Sequence, residues 1–140
     1  MDTEEFDRAL LLRDSGDLAG AFDAFEQLRV KFPQDASVHG MQGGIARDLG
    51  MLHEAVALFK RATELAPVSE VASAGLFYSL FDMGHRDEAF SELRRYLSLV
   101  KIEKTRVYSI LLRDFSNLNE AENVLRGRLT IARGANKRKT

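Results

Sequence analysis

The residues of this 140-residue chain that could do chemistry are three histidines, twenty-one carboxylates and a short run of glycines. A metal site on a helix needs His or carboxylate ligands three to four residues apart on one face. His39, His53 and His85 form no His-Glu-x-x-His pair and no other close His/carboxylate set. Surface imidazoles are therefore expected, and no metal. Gly40, Gly43 and Gly44 resemble a phosphate-cradling loop in composition only, because no Gly-Lys-Ser/Thr follows them and no strand pattern precedes them. No Gly-x-Ser-x-Gly nucleophile elbow occurs. There is no cysteine, which removes thiol catalysis, thiolate ligands and disulfides together and fits a reducing compartment. The carboxylates fall at expected helix ends and on solvated faces. A non-catalytic chain with no cofactor and no small-molecule substrate is expected.

Composition and charge narrow the partners. The chain is 45% hydrophobic and 29% charged, the balance of an ordinary soluble domain. It begins with the acidic Met1-Asp2-Thr3-Glu4-Glu5 rather than a basic start before an apolar run, so no secretory signal is read. No stretch approaches the roughly 20 apolar residues of a membrane span. A cytoplasmic protein without a membrane partner is expected. Net charge is −1, unevenly placed: no acid follows Glu122, and Arg126, Arg128, Arg133, Lys137, Arg138 and Lys139 leave residues 1–122 at −7. Nucleic-acid binding would interleave aromatics with such a basic segment. This one contains none, so residues 133–140 are expected to be a disordered, solvated tail.

The elements that position these residues follow from a repeat. An Asp recurs at 14, 48, 82 and 114, in steps of 34, 34 and 32. Gly16, Gly50 and Gly84 keep that step, with Ser116 in the fourth place, and Ala21, Ala55, Ala89 and Ala121 follow. Phe25, Phe59, Leu93 and Leu125 stand four residues beyond each Ala, and Pro33 and Pro67 close the first two units. The spacing predicts two antiparallel helices per unit. Gly ends the first by taking the left-handed conformation; Asp17 or Asn117 caps the next, with Glu120 completing a capping box. The small Ala lets two helices approach, and the Phe or Leu one turn later fills the space between them. Pro33 and Pro67 stop the second helix. Helices are predicted over 3–14, 18–31, 36–49, 52–65, 70–83, 86–99, 103–115 and 118–132.

This pattern resembles the tetratricopeptide repeat family. The second unit carries the fullest set of matching positions, Gly43, Gly50, Ala55, Phe59, Ala62 and Pro67, while the fourth is degenerate. The resemblance implies an all-α fold of about four stacked units (2–35, 36–69, 70–103 and 102–132) in a short right-handed solenoid, one domain over 1–132, its last unit a cap. It also implies a concave groove lined by the first helix of each pair. Inward positions in that register include Arg13, Gly40, Gly44, Arg47, Asp48, Tyr78, Phe81, Asp82 and Arg113. Gly40 and Gly44 share one helix face and would give a floor without side chains. The pairs Arg13-Asp14, Arg47-Asp48 and Arg113-Asp114, interrupted by Phe81-Asp82, would edge it as a polar rail or bond between units. Tyr78 and Phe81 would supply aromatic anchors. Phe6 and Leu10, then Gly40 and Gly44, stand where the family's clamp for chaperone tails has Lys and Asn, so that ligand is not expected. The function implied is a protein-binding module. Alternatives are an immunity protein that neutralises a toxin domain and a secretion chaperone. A monomer or weak homodimer is expected.

Overall fold

The computed structural model describes residues 3–126. Among them every regular element is a helix. Six helices come in pairs: α1 (Thr3–Asp14) with α2 (Leu18–Lys31), α3 (Ala36–Asp48) with α4 (Leu52–Leu65), and α5 (Glu70–Asp82) with α6 (Arg86–Leu99). No described helix is long and apolar enough to cross a membrane. Among the described residues, those up to Val100 form one compact unit and those from Lys101 to Arg126 a second.

The three predicted glycine stops are built alike. Gly16, Gly50 and Gly84 have φ of 92°, 78° and 85°, where a Cβ would be strained. In the first turn the Gly16 N–H donates to the Arg13 carbonyl (3.0 Å) and the Asp17 N–H to the Leu12 carbonyl (3.0 Å). Gly50 to Arg47 (3.0 Å) with Met51 to Ala46 (2.8 Å), and Gly84 to Phe81 (3.0 Å) with His85 to Leu80 (2.9 Å), repeat it. Each is a Schellman closure that satisfies carbonyls the helix end leaves open. The next helix then starts with or without a side-chain cap. Asp17 accepts from the Gly20 N–H at 2.9 Å, whereas Met51 and His85 supply no side-chain cap. Two caps that the sequence reading did not single out begin the first helices of their pairs: Asp35 accepts from Val38 N–H (3.2 Å) and Ser69 from Ala72 N–H (3.3 Å).

Each helix of the first unit packs on the next in sequence, and α3 also meets α5. The repeated Ala residues are fully buried at 21, 55 and 89, as are Phe25 and Leu93. Phe59 of α4 lies against both first helices. A Cβ added at Gly43 of α3 would sit 3.1–3.2 Å from its ring, and one at Gly75 of α5 would collide with the ring's Cδ1, Cε1 and Cζ. Gly43 and Gly75 are therefore packing residues, cut back to admit one aromatic ring. Between α5 and α6, Phe77 stacks on Phe81 (5.7 Å between centroids) and meets Phe90 edge-on (5.5 Å).

The second unit departs from the prediction. Instead of one helix over 103–115, a 3-10 turn at Ile102–Lys104 is followed by α7 at Val107–Leu112. Thr105 is extended between them (φ −95°, ψ 157°), and its hydroxyl donates to the Ile102 carbonyl at 2.7 Å. Ser109 spends its hydroxyl on the carbonyls of Thr105 (2.9 Å) and Arg106 (3.1 Å). The Thr105 bond closes the 3-10 turn, and the extended Thr105 backbone separates it from α7. At the other end Ser116 replaces the turn glycine, and no described non-glycine residue takes a positive φ, so the Schellman closure is not rebuilt. The Asn117 cap forms, accepting from Glu120 N–H at 2.9 Å, while the Glu120 carboxylate reaches back to Ser116 N–H at 2.7 Å. Residues 118–126 are helical. The rest of the predicted 118–132 helix and the 133–140 tail lie outside the described residues.

Candidate functional site

Five of the residues picked from the sequence share neighbouring parts of α3 and α5. Gly40 and Gly44 are one turn apart on α3, and a Cβ added at either would meet nothing within 4 Å. Unlike Gly43, they are not small for the sake of a neighbour. Arg47 lies a further turn along. Its guanidinium reaches across to α5, where Nε and Nη2 donate to Asp82 Oδ2 at 3.2 and 2.9 Å, and it stands 5.4 Å from the centroid of the Tyr78 ring. Tyr78 is half-buried. Burial pushes its hydroxyl above the usual tyrosine value; the Arg47 charge opposes the rise and Asp82 adds to it. Such a pair, whose partners are both more than a third exposed, contributes at most about 1 kcal/mol. Its main effect is to fix both side chains in one geometry.

The other four predicted positions behave differently. Arg13 donates to its own neighbour Asp14 (3.0 Å) and contacts the Met41 sulfur (3.3 Å). Asp48 is exposed and makes no hydrogen bond or ion pair among the described residues; of the Arg-Asp series, it is Arg47 that bonds from one repeat to the next, to Asp82. Phe81 belongs to the packing cluster of Phe77 and Phe90, with Arg86 over its ring at 5.6 Å; its ring is largely used inside the fold. Arg113 lies in the second unit, its side chain 69% exposed and 3.9 Å from Asp114.

Several polar residues are buried in ways the sequence did not announce. Gln42 is fully buried; its Nε2 donates to the Glu26 carboxylate at 2.6 Å and its Oε1 accepts from Arg29 at 3.1 Å. Glu92 is nearly buried, accepting from Ser73 (2.6 Å) and doubly from Arg95 (2.7 Å each). His39 is not the surface imidazole expected. It is 5% exposed, and its Nε2–H donates to the Pro33 carbonyl at 2.9 Å, which ties down the turn between α2 and α3. A polar residue on a helix gives no sequence sign of burial unless its partners are known, and apart from Arg95 on Glu92 those partners lie 6 to 19 residues away. His53 and His85 are exposed, as read. No described group of His and carboxylate side chains could hold a metal ion.

One pH effect follows. The Gln42 hydrogen bond, and then that from Arg29, hold the Glu26 carboxyl below its ordinary value of 4.5. A carboxyl depressed in the folded state contributes stability that is present above its unfolded value and lost as pH falls through the folded one. Denaturation midpoints of the native chain should therefore fall as pH drops below about 4.5. Glu26→Gln should lower the midpoint near neutrality and flatten that fall. An unchanged acid profile in the variant would remove Glu26 from the account.

The model of the family described as tetratricopeptide repeat matches residues 36–69, which hold α3, α4 and the turn into α5. No curated protein matches the chain. Among solved structures, a crystal structure of MamA protein superposes with a TM-score of 0.66 at 23% identity, over 71% of this chain and 55% of that one. This chain thus spans about half the length of that protein, at 55%. A second crystal structure of MamA gives a TM-score of 0.65 at 18% identity, over 92% of this chain and 77% of that one. At these identities the likeness is one of fold. The middle pair thus matches the tetratricopeptide repeat model, the pairs on either side keep the same Gly and Ala register, and the chain shares the helical fold of those structures.

Proposed function

We propose that this chain is a non-catalytic module that binds another protein along the shared face of α3 and α5. The observation that carries the reading is the pair Gly40 and Gly44. Each costs a helix interior about 1 kcal/mol relative to alanine, and neither is repaid by packing, since a Cβ at either position meets nothing. A backbone left bare on a helix face lets another chain approach closely. Beside it lie the half-buried Tyr78 and the Arg47 guanidinium that stands over its ring and bonds Asp82; Tyr and Arg are residue types enriched where interfaces concentrate their energy.

The native chain has no cysteine, so a single introduced thiol can carry a photo-crosslinker to a chosen face. Gly44→Cys places it on the proposed face, and Gln27→Cys on exposed α2. In lysate of the native host, the label at 44 should trap a discrete protein that the label at 27 does not. Trapping from 27 alone would move the interface away from α3 and α5. Affinity then separates the finer roles: about −12 kcal/mol, nanomolar, suits a dedicated inhibitor such as an immunity protein, and about −8 kcal/mol, micromolar, a transient scaffold.

A further inference from the structure

We infer that a cavity between α2 and α4, with α3 beneath it, is a binding site of its own, and that it takes a primary ammonium group carried on an unbranched alkyl stem. The site lies away from Gly40 and Gly44 and does not depend on what that face binds.

The cavity measures about 290 Å³ and its walls are mainly apolar, with Phe22 of α2 and Ala57 and Leu58 of α4 among them. His39 of α3 also lines it. That residue is 5% exposed, and its Nε2–H is committed to the Pro33 carbonyl at 2.9 Å. The neutral imidazole then presents Nδ1 as a lone pair, and Nδ1 has no hydrogen-bond partner among the described residues. A buried acceptor without a donor is costly, and nearly all such groups in folded proteins are satisfied.

The next pair shows how the same place is closed from within. One repeat step of 34 residues leads from His39 to Ser73, from Leu58 to Glu92 and from Arg61 to Arg95. There Ser73 donates to Glu92 at 2.6 Å, and Arg95 holds the same carboxylate at 2.7 Å. In the pair α3 and α4 the residue on α3 is an acceptor, and Leu58 has no donor to offer it. Arg61, in the place of Arg95, is turned to Glu64 at 3.0 Å. The missing part is a donor from outside the pair.

Charge on the walls selects which donor. Glu26 bonds Arg29 and Gln42, and Arg61 bonds Glu64, so these charges are matched within the chain. Glu54, also in the lining, makes no hydrogen bond or ion pair among the described residues. The cavity therefore carries one uncompensated negative charge. An ammonium supplies both the N–H that Nδ1 lacks and the counter-charge that Glu54 lacks. Its methylene stem suits the apolar walls, as lysine stems do elsewhere. A carboxylate has no proton for the lone pair and is repelled by Glu54. A lysine side chain of a partner protein and a free alkylamine share the required group.

The test follows the His39 Nδ1 resonance of the full chain by 15N NMR at about pH 8, where imidazoles are neutral. Nα-acetyl-lysine N-methylamide and n-pentylamine should both shift that resonance in the direction of an accepted hydrogen bond. The Kd should be about 1 mM, the scale that ligand efficiency sets for molecules of this size. The norleucine analogue keeps the stem without the ammonium and should bind at least about 10-fold more weakly, by loss of the charge-assisted bond. Tighter binding of the lysine compound assigns the site to a partner's side chain; tighter binding of n-pentylamine assigns it to a free amine. Glu54→Gln should weaken either amine about 2- to 5-fold, the loss of one exposed charge pair. Leu58→Gln places an amide N–H where Glu92 stands in the next pair. It should shift the Nδ1 resonance of the free protein in the same direction, keep the denaturation midpoint and abolish amine binding. A resonance that no amine moves leaves the lone pair to bound water and overturns the inference. Norleucine or pentanoate binding as well as lysine overturns it, as does amine binding that survives Leu58→Gln once His39 is bonded from within.

Discussion

Phe59→Ala is expected to cost the protein about 3–5 kcal/mol, the range for removing a buried aromatic ring. Phe59 is 4% exposed, and its ring is the side chain that α3 and α5 are both cut back to receive. Because glycine lies on two sides of it, little neighbouring side chain is available to collapse into the space. A cavity that cannot relax puts the loss at the upper part of the range. Urea denaturation should show the midpoint fall with the slope unchanged, as befits a change in stability rather than in the unfolded chain. A loss under about 1 kcal/mol would mean that α3 and α5 close on each other without the ring.

Gly75→Ala and Gly40→Ala are expected to shift stability in opposite directions, although both replace a helical glycine by the best helix former. At Gly40 the added methyl meets nothing, so only the propensity gain of about 1 kcal/mol remains. At Gly75 the same methyl enters the space of the Phe59 ring. Overpacking of this kind costs about 1–3 kcal/mol, and with the ring pressed from the far side by the α3 backbone at Gly43 the cost lies above the bottom of that range, for a net loss of up to about 2 kcal/mol. The collision is with one side chain, so it can be tested by coupling. Phe59→Leu in the Gly75→Ala background should recover part of the loss, with an interaction energy of about 0.5–3 kcal/mol. Additive losses would place the strain of Gly75→Ala somewhere other than the ring. A fall in stability for Gly40→Ala would contradict the open face on which the binding proposal stands.

Most of the first unit was legible because its signals are local. Gly16, Gly50 and Gly84 recur at a fixed step, and each closes its helix through bonds to carbonyls three and five residues back. Such bonds depend on the chain's own neighbours, so composition and spacing determine them. The predicted ends of the first six helices agree with the structure to within one residue. Where the local signal lapses, at Ser116, the reading lapses too. The sequence suggested a long seventh helix from repeat register alone, whereas the backbone is extended at Thr105 and only Val107–Leu112 remain in α7.

The reasons behind individual residues lay further off. The three glycines at 40, 43 and 44 look alike in sequence, and only the position of a ring from α4 separates the packing glycine from the two that face open space. Gly75, which no pattern singled out, proves the tightest of all. Arg47 and Asp48 are adjacent in the chain, but the partner of Arg47 is Asp82, 35 residues on. Periodicity and turn chemistry alone determined that this chain folds as paired helices, and where each pair turns. Which small residues serve packing, which polar ones are buried and which faces stay bare was decided by the stacking of one pair on the next, since each of those properties is set by atoms that a helix does not itself contain.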